Sequence, residues 1–497
     1  MKDLIDLVQI VPKSKLRGAD PLPDAKKEHS KLQEFYELVA GGKLKSDEDA
    51  ALLLYNDDKQ APAYQKLRKS LKDRLLNALF VTDLRQSSYT DRQKAYYECY
   101  KEWAATKILF GKNARNAALG LALKVFKVSR RYEFTELNVD ICHTLRLHYG
   151  TIEGDYARYQ KYTEELQYFE GLWLAENRAE QYYIDISIRY AQHKSAKTDN
   201  QVDAKRYFSM LGDWLLQFDS YQLHFCARLL EASIYSSIND YESLLGVCDR
   251  AISFFEKKEY TAKVPLQVFL YQKAICNIQL GALDEGARLL GESLRYSEEG
   301  AFNWFKSHEL AIMVMLRQRR YESAQETLDL VFAHPNFENL PENAKAVWKT
   351  SEAYLSFLAQ IGKLPPAGKR TFRLSRFVND IQVFSKDKQG INLHLVAIEI
   401  LFLLAGGQKA ALIERTEAID KYRLRYLQDN EVKRSNYFFK LLLQVPKCGF
   451  RKADILKKTA QDLEALQATP IQTAYQSLEI EILPYDNIWE YVLELLD

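Results

Sequence analysis

Few residues in this chain have types and spacings that could do chemistry, and none completes a catalytic set. His308-Glu309 opens as a zinc-protease helix would, but Ile312 stands where the second histidine must fall on the same face. Gly41-Gly42-Lys43 lacks the upstream glycine and the following Ser or Thr with which a P-loop holds phosphate. His143 and His148 are five residues apart and do not share a helix face, so their imidazoles do not converge on one ion. There is no Gly-x-Ser-x-Gly elbow. The chain is therefore read as a non-enzyme, with no catalytic residue, metal or cofactor expected.

What remains is positive charge set beside aromatic rings. Lys369, Arg370, Arg373 and Arg376 flank Phe372 and Phe377, and Arg317, Arg319 and Arg320 cluster just before Tyr321. Tyr422, Arg423, Arg425 and Tyr426 follow one another, with Lys433 and Arg434 a little beyond. A guanidinium fork beside an aromatic wall suits a carboxylate or an acidic peptide segment. Each patch can equally be the wet face of a helix balanced by nearby acids. The patch around Arg373 stands out because it follows the Pro/Gly interruption Leu364-Pro365-Pro366-Ala367-Gly368, where the pattern of the chain is broken.

That pattern is a turn signal recurring about every 42 residues. Tyr241, Leu283 and Tyr321 each open a segment after a short polar or glycine break, and similar breaks fall at Gly154, Gly362, Gly406-Gly407 and Gly449. A period of this size marks a helical-repeat solenoid, in which each unit buries its apolar face on its neighbours. Within the second helix of a unit, apolar or small residues recur at steps of three, seven and ten: Tyr321, Ala324, Leu328, Val331; Tyr241, Leu244, Cys248, Ala251; Leu283, Gly286, Leu290, Ser293. Tyr156, Tyr159, Thr163 and Leu166 follow the same spacing with a larger residue at the first step. A small residue one turn in lets two antiparallel helices approach closely.

These positions, with Pro335 closing the Tyr321 unit, resemble the second half of the tetratricopeptide repeat over roughly residues 111–466. The resemblance implies paired antiparallel helices and a surface that takes a protein or peptide. The spacings exceed the tetratricopeptide length of about 34 residues, so HEAT-like or armadillo-like geometry stays open. The expected fold is all-α: a solenoid of about nine helical hairpins, with turns near 113, 156, 200, 241, 283, 321, 364, 408 and 450. The polar stretch from His193 to Asn200 is read as a loop tip. Residues 467–497 read as a cap, with Leu478 to Leu483 alternating like a short strand before an apolar helix from Ile488 to Leu496.

Residues 1–110 read as a separate helical region. Helices are expected over Lys31 to Val39, from Ser46 to about Tyr55, and after Pro62, where Tyr64, Leu67, Leu71, Leu75 and Leu79 share one face. The other face carries Lys66, Arg68, Lys69 and Lys72. This layout over residues 29–80 weakly resembles the helix-turn-helix core of winged-helix regulators, which implies a third helix that enters the DNA major groove. The competing reading is the wet side of an amphipathic helix.

Composition narrows the class. The net charge of +2 on 497 residues offers no global footprint for nucleic acid or an anionic membrane. The six cysteines are scattered without paired spacing and read as reduced core residues of a cytoplasmic protein. Leu393 to Ala405 is too short to span a bilayer and carries His394 and Glu399, so it reads as a buried helix. The expected function is a cytoplasmic, non-catalytic scaffold that takes a protein or peptide partner, through Lys369, Arg370, Arg373, Arg376, Arg317, Arg320, Arg423 and Arg425. The alternative is a DNA-binding regulator that uses Lys66, Arg68, Lys69 and Lys72, with the repeats as its sensor.

Overall fold

The computed structural model describes residues 1–11, 31–44, 46–56, 58–81, 90–192, 197–365, 372–382, 391–427, 432–471 and 481–496. All regular structure among them is helical, and neighbouring helices pack in series as an all-α solenoid. The chain divides into two compact units, Met1–Leu166 and Gln167–Asp497.

In the first unit, α1 (Lys2–Ile10), α2 (Lys31–Ala40), α3 (Asp47–Tyr55) and α4 (Pro62–Val81) share a small core. Leu4, Phe35, Tyr64, Leu71 and Leu75 are fully buried in it. Ser46 caps α3 by accepting the Asp49 N–H at 3.1 Å, as its type and position require. Next come α5 (Asp91–Gly111), α6 (Arg115–Arg131) and α7 (Thr135–His148), followed by a π-turn at Tyr149–Glu153 and the start of α8 (Tyr156–Gln192). α5 pairs with α6, so the first helical hairpin begins at Asp91, where Thr90 and Gln93 form a capping box.

The π-turn changes how α8 packs. Of the expected stripe Leu166 is buried and Thr163 half-buried, but Tyr156 and Tyr159 are exposed, and Tyr162 and Phe169 are buried in their place. Tyr159 lies so close to Gly150 that a Cβ there would stand 2.8 Å from the ring.

The second unit holds α9 (Lys197–Met210), α10 (Gly212–Gln217) and then helices in pairs. These are α11 (Tyr221–Ser236) with α12 (Tyr241–Glu256), α13 (Lys263–Gln279) with α14 (Leu283–Tyr296), and α15 (Phe302–Arg317) with α16 (Tyr321–Ala333). After a 3₁₀ turn at Pro335–Asn339 come α17 (Glu342–Gln360), α18 (Leu374–Gln382), α19 (Ile391–Ala405), α20 (Lys409–Tyr426), α21 (Lys433–Lys447), α22 (Lys452–Ala468) and α23 (Tyr485–Glu494).

Left-handed residues end the helices at the expected period. Asn113, Gly154, Asn239, Gly281, Arg319, Gly362, Gly407 and Gly449 all have φ between 57° and 86°. Of the loop tip expected from His193 to Asn200, His193 to Ala196 lie outside the described residues. Lys197 to Asn200 belong to α9, where Asn200 and Ala204 are buried one turn apart despite the polar composition.

The small-residue rule is realised most tightly in the α13–α14 hairpin. A Cβ on Gly286 would sit 2.5 Å from Ile278 Cγ1, closer than any side chain tolerates. Tyr321, Ala324, Leu328 and Val331 are all buried, as their spacing implies.

α19 is buried as its apolar run predicts, with the His394 ring hydrogen-bonded to the Tyr354 hydroxyl at 2.8 Å. No helix among the described residues is long and apolar enough to cross a membrane. Of the stretch expected as a strand, Leu478 to Ile480 lie outside the described residues, and Glu481, Ile482 and Leu483 are not in a strand.

Candidate peptide-binding surface

The basic residues picked out from the sequence meet very different fates. In α4, Arg68 donates to Asp47 Oδ1 and to Asp3 Oδ1, each at 2.8 Å, and Lys72 donates to Asp3 Oδ2 at 2.8 Å. The hydrogen bond from Lys72 is the main reason the Asp3 carboxyl is held down at about 2, against a partial opposing effect of burial. The Met1 ammonium also donates to Asp47, at 2.6 Å. Two of the four cations proposed for DNA are thus neutralised by acids of α1 and α3. Lys66 and Lys69 remain exposed.

The histidine-glutamate pair on α15 is structural. His308 packs on the Trp304 ring at 4.3 Å, and burial pulls its pKa down to about 4. Glu309 holds Lys306 at 2.6 Å. Among the described residues, no three His, Cys, Asp or Glu side chains are grouped to hold a metal ion. The six cysteines are buried and free.

The arginines of the second unit do not converge on one groove. Arg423 donates to Asp420 at 2.8 Å and to Asn436 at 3.1 Å, while Arg425 lies over the Tyr426 ring at 5.3 Å. Arg320 is exposed at the start of α16 and shares a shallow depression with Asp284 and Glu285. Arg317 points into the interior, where its Nε and Nη2 meet no acceptor. Burial is the main reason its pKa falls to about 10; Glu481 opposes that fall and Arg434 adds to it.

Arg434 is the centre of this interior. Its guanidinium donates to Glu481 Oε2 at 2.7 Å and Oε1 at 3.0 Å, to Asp486 Oδ2 at 2.6 Å and to the Leu466 carbonyl at 2.6 Å. Arg434 and Glu481 are 3% and 2% exposed, so their charges have left water and depend on each other. Burial alone would lower the guanidinium pKa, but the paired carboxylates hold it above its ordinary value.

Further contacts fix α23 beyond the last hairpin. Arg319 donates to Asn487 at 3.1 Å and pairs with Glu490, the Tyr321 and Tyr491 hydroxyls share a hydrogen bond, and Lys363 meets Glu494 at 2.8 Å. Tyr485 stacks on Phe438 with centroids 4.2 Å apart. The tail therefore does more than cover the end of the array. It is an acidic, aromatic segment recognised by arginines of its own chain.

This recognition was not legible beforehand, because the acids that Arg434 holds lie 47 and 52 residues further on in the sequence. The only available signal was the alternation of acids with apolar residues between Glu479 and Glu494.

Arg373 and Arg376 differ. They are exposed, and among the described residues neither guanidinium has a partner. They line a 670 Å³ pocket with Phe332, Phe337, Phe372 and Phe377. Phe332 meets Phe337 edge to face at 4.8 Å, and Phe372 stacks on Phe402 at 5.2 Å, so the rings form a fixed wall. Lys345 takes up two of the nearby acids, reaching Glu342 at 3.2 Å and Glu338 at 3.3 Å. Lys369 and Arg370 lie outside the described residues.

Compared with known proteins, the chain matches no family model, no curated protein and no solved structure.

Proposed function

We propose that this protein is a cytoplasmic, non-catalytic scaffold with tetratricopeptide-like repeats, and that the pocket beneath Arg373 and Arg376 takes an acidic segment of a partner protein. One observation supports the reading above the rest: two guanidiniums without a partner among the described residues stand over a four-phenylalanine wall, and Lys345 engages two of its neighbouring acids, Glu338 and Glu342. A carboxylate of the partner would accept from the arginines, while an apolar or aromatic side chain next to it fills the pocket. A hydrogen bond to a charged group contributes about 1.5–3 kcal/mol, and buried aromatic and arginine anchors carry most of the energy of such interfaces.

The test is a peptide array of acidic segments that each carry one aromatic residue, with neutral sequences of matched composition beside them. Hits are measured in solution by fluorescence anisotropy against the full-length chain. Reversal of Arg373→Glu with Arg376→Glu is expected to weaken the best acidic peptide at least tenfold and to leave the unfolding midpoint in place. Equal binding by the reversed variant would remove this pocket from consideration. Equal retention of acidic and neutral peptides would remove the acidic partner.

A further inference from the structure

A second cavity lies elsewhere in the second unit and has a different character. It encloses about 390 Å³ between α11, α13 and α15, the first helices of three successive hairpins. Its volume falls in the range of pockets that take small molecules, roughly 300–1,000 Å³. Tyr183, Tyr241, Tyr271, Ile275 and Phe302 supply a mainly apolar and aromatic lining.

Besides the tyrosine hydroxyls, the polar groups of the lining are few, and those of Gln267, Asn303, Lys306, Ser233 and Ser236 have partners within the chain. The Gln267 carbonyl oxygen accepts from the Asn303 amide at 3.0 Å. Lys306 is bound by both oxygens of Glu309, at 2.6 and 2.7 Å, so its charge is cancelled where it stands. Ser233 and Ser236 turn their hydroxyls back to carbonyls of their own helix.

One buried acceptor stands out. Gln272 lines the cavity, and its Oε1 is shielded from solvent with no donor in reach among the described residues. A buried polar atom without a partner is destabilising unless a ligand or water supplies the bond.

We infer that this cavity is a binding site for a neutral, mostly aromatic group bearing one N–H or O–H, whose donor satisfies Gln272 Oε1. An anion would have to displace Glu309 from Lys306, and a cation would find no carboxylate among the lining residues. Both charged classes are thereby disfavoured, whereas a planar ring with a single donor matches the walls and the leftover acceptor together. The group can be a free small molecule or a tryptophan-like side chain, since the chemistry is shared.

The test uses the full-length chain and four probes, followed by saturation-transfer NMR and titrated intrinsic fluorescence. Indole carries ring and donor, 1-methylindole carries the ring alone, indole-3-carboxylate adds a negative charge, and N-acetyl-tryptophanamide presents the ring as a side chain. Indole is expected to bind about tenfold more tightly than 1-methylindole and indole-3-carboxylate. Gln272→Leu is expected to erase the preference over 1-methylindole, and Val268→Phe, which fills the cavity, to abolish binding of all four. Binding of N-acetyl-tryptophanamide at or above the level of indole would assign the site to a side chain, and weaker binding to a free ligand.

The inference fails if indole does not bind the parent chain, or if indole and 1-methylindole bind alike. It fails equally if Gln272→Leu, shown folded by its unfolding midpoint, keeps the full preference. Arg373→Glu with Arg376→Glu is expected to bind indole as the parent does, which separates this site from the acidic-peptide pocket.

Discussion

Arg434 and the pair Arg373 and Arg376 present the same chemistry in opposite states. Arg434 is sealed in the interior and saturated by Glu481, Asp486 and the Leu466 carbonyl. Arg373 and Arg376 stand in the open over a wall of phenylalanines, with no partner among the described residues. The difference lies in where the complementary acid comes from. For Arg434 the chain supplies it, on a tail whose Tyr485, Trp489 and Tyr491 are buried in the core. A guanidinium answered in this way is a structural element, and one left unanswered is available to another molecule. An arginine motif read from sequence cannot distinguish these two states, because they differ only in long-range partners.

The comparison is broken most forcefully at Arg434. Replacing it by Met leaves Glu481 buried without a counter-charge and is expected to lower stability by about 3–5 kcal/mol. Urea unfolding of the full-length chain measures the loss, and hydrogen exchange should rise over 485–494 and 433–468. A loss below about 1 kcal/mol would show that α23 is held by its apolar side chains alone. In that case the contrast with Arg373 would lose its physical basis.

How much of this was legible in the sequence follows from the range of the interactions involved. The turn positions depend on local chemistry, a left-handed residue after a helical run. Gly154, Gly281, Gly362, Gly407 and Gly449 could therefore be placed in advance. Gly286 likewise announces the close approach of α13 and α14.

Of the stretch read as a loop tip by its polar composition, Lys197 to Asn200 are helical, because Asn200 and Ala204 share a buried face. The Tyr156 and Tyr159 stripe failed because the π-turn before α8 rotates the face that is buried, and a π-turn leaves no periodic trace. For the candidate site, Arg373 and Arg376 with Phe372 and Phe377 could be named, being close in sequence. Phe332 and Phe337 complete the same pocket from about 40 residues away and could not.

A smaller effect lies at the solvent edge of the tail contact, where Arg319 meets Glu490. The hydrogen bond from Arg319 is the main reason the Glu490 carboxyl is held below its ordinary value. The sign follows directly. Glu490 binds its proton more weakly when folded than when unfolded. Its contribution is therefore present above the ordinary carboxyl range near 4.5, and it is lost as the pH falls through the lower folded value. Both side chains are 49% exposed, so solvent screening limits the contribution to a few tenths of a kcal/mol. Unfolding of Glu490→Gln is expected to fall slightly below the parent at pH 7, with the gap narrowing as the pH is lowered towards 3. A gap that is as wide at pH 3 as at pH 7 would show that Glu490 acts through packing and not through its charge.

The smallest expected effect is at Arg373 and Arg376 themselves, and it bears most directly on the contrast with Arg434. Substitutions at exposed positions away from caps, cores and paired networks usually change stability by no more than about 0.5 kcal/mol. Neither guanidinium has a partner to lose among the described residues, so Arg373→Ala with Arg376→Ala is expected to leave the urea midpoint unchanged within that margin. The same double variant should lose its acidic peptide. Stability untouched and binding lost is the signature of cations kept for a partner. If the double variant instead unfolds more readily by 2 kcal/mol or more, the two arginines are held within the chain as Arg434 is. Arg373 and Arg376 would then be answered from within as Arg434 is, and the contrast on which the acidic-peptide pocket rests would be gone.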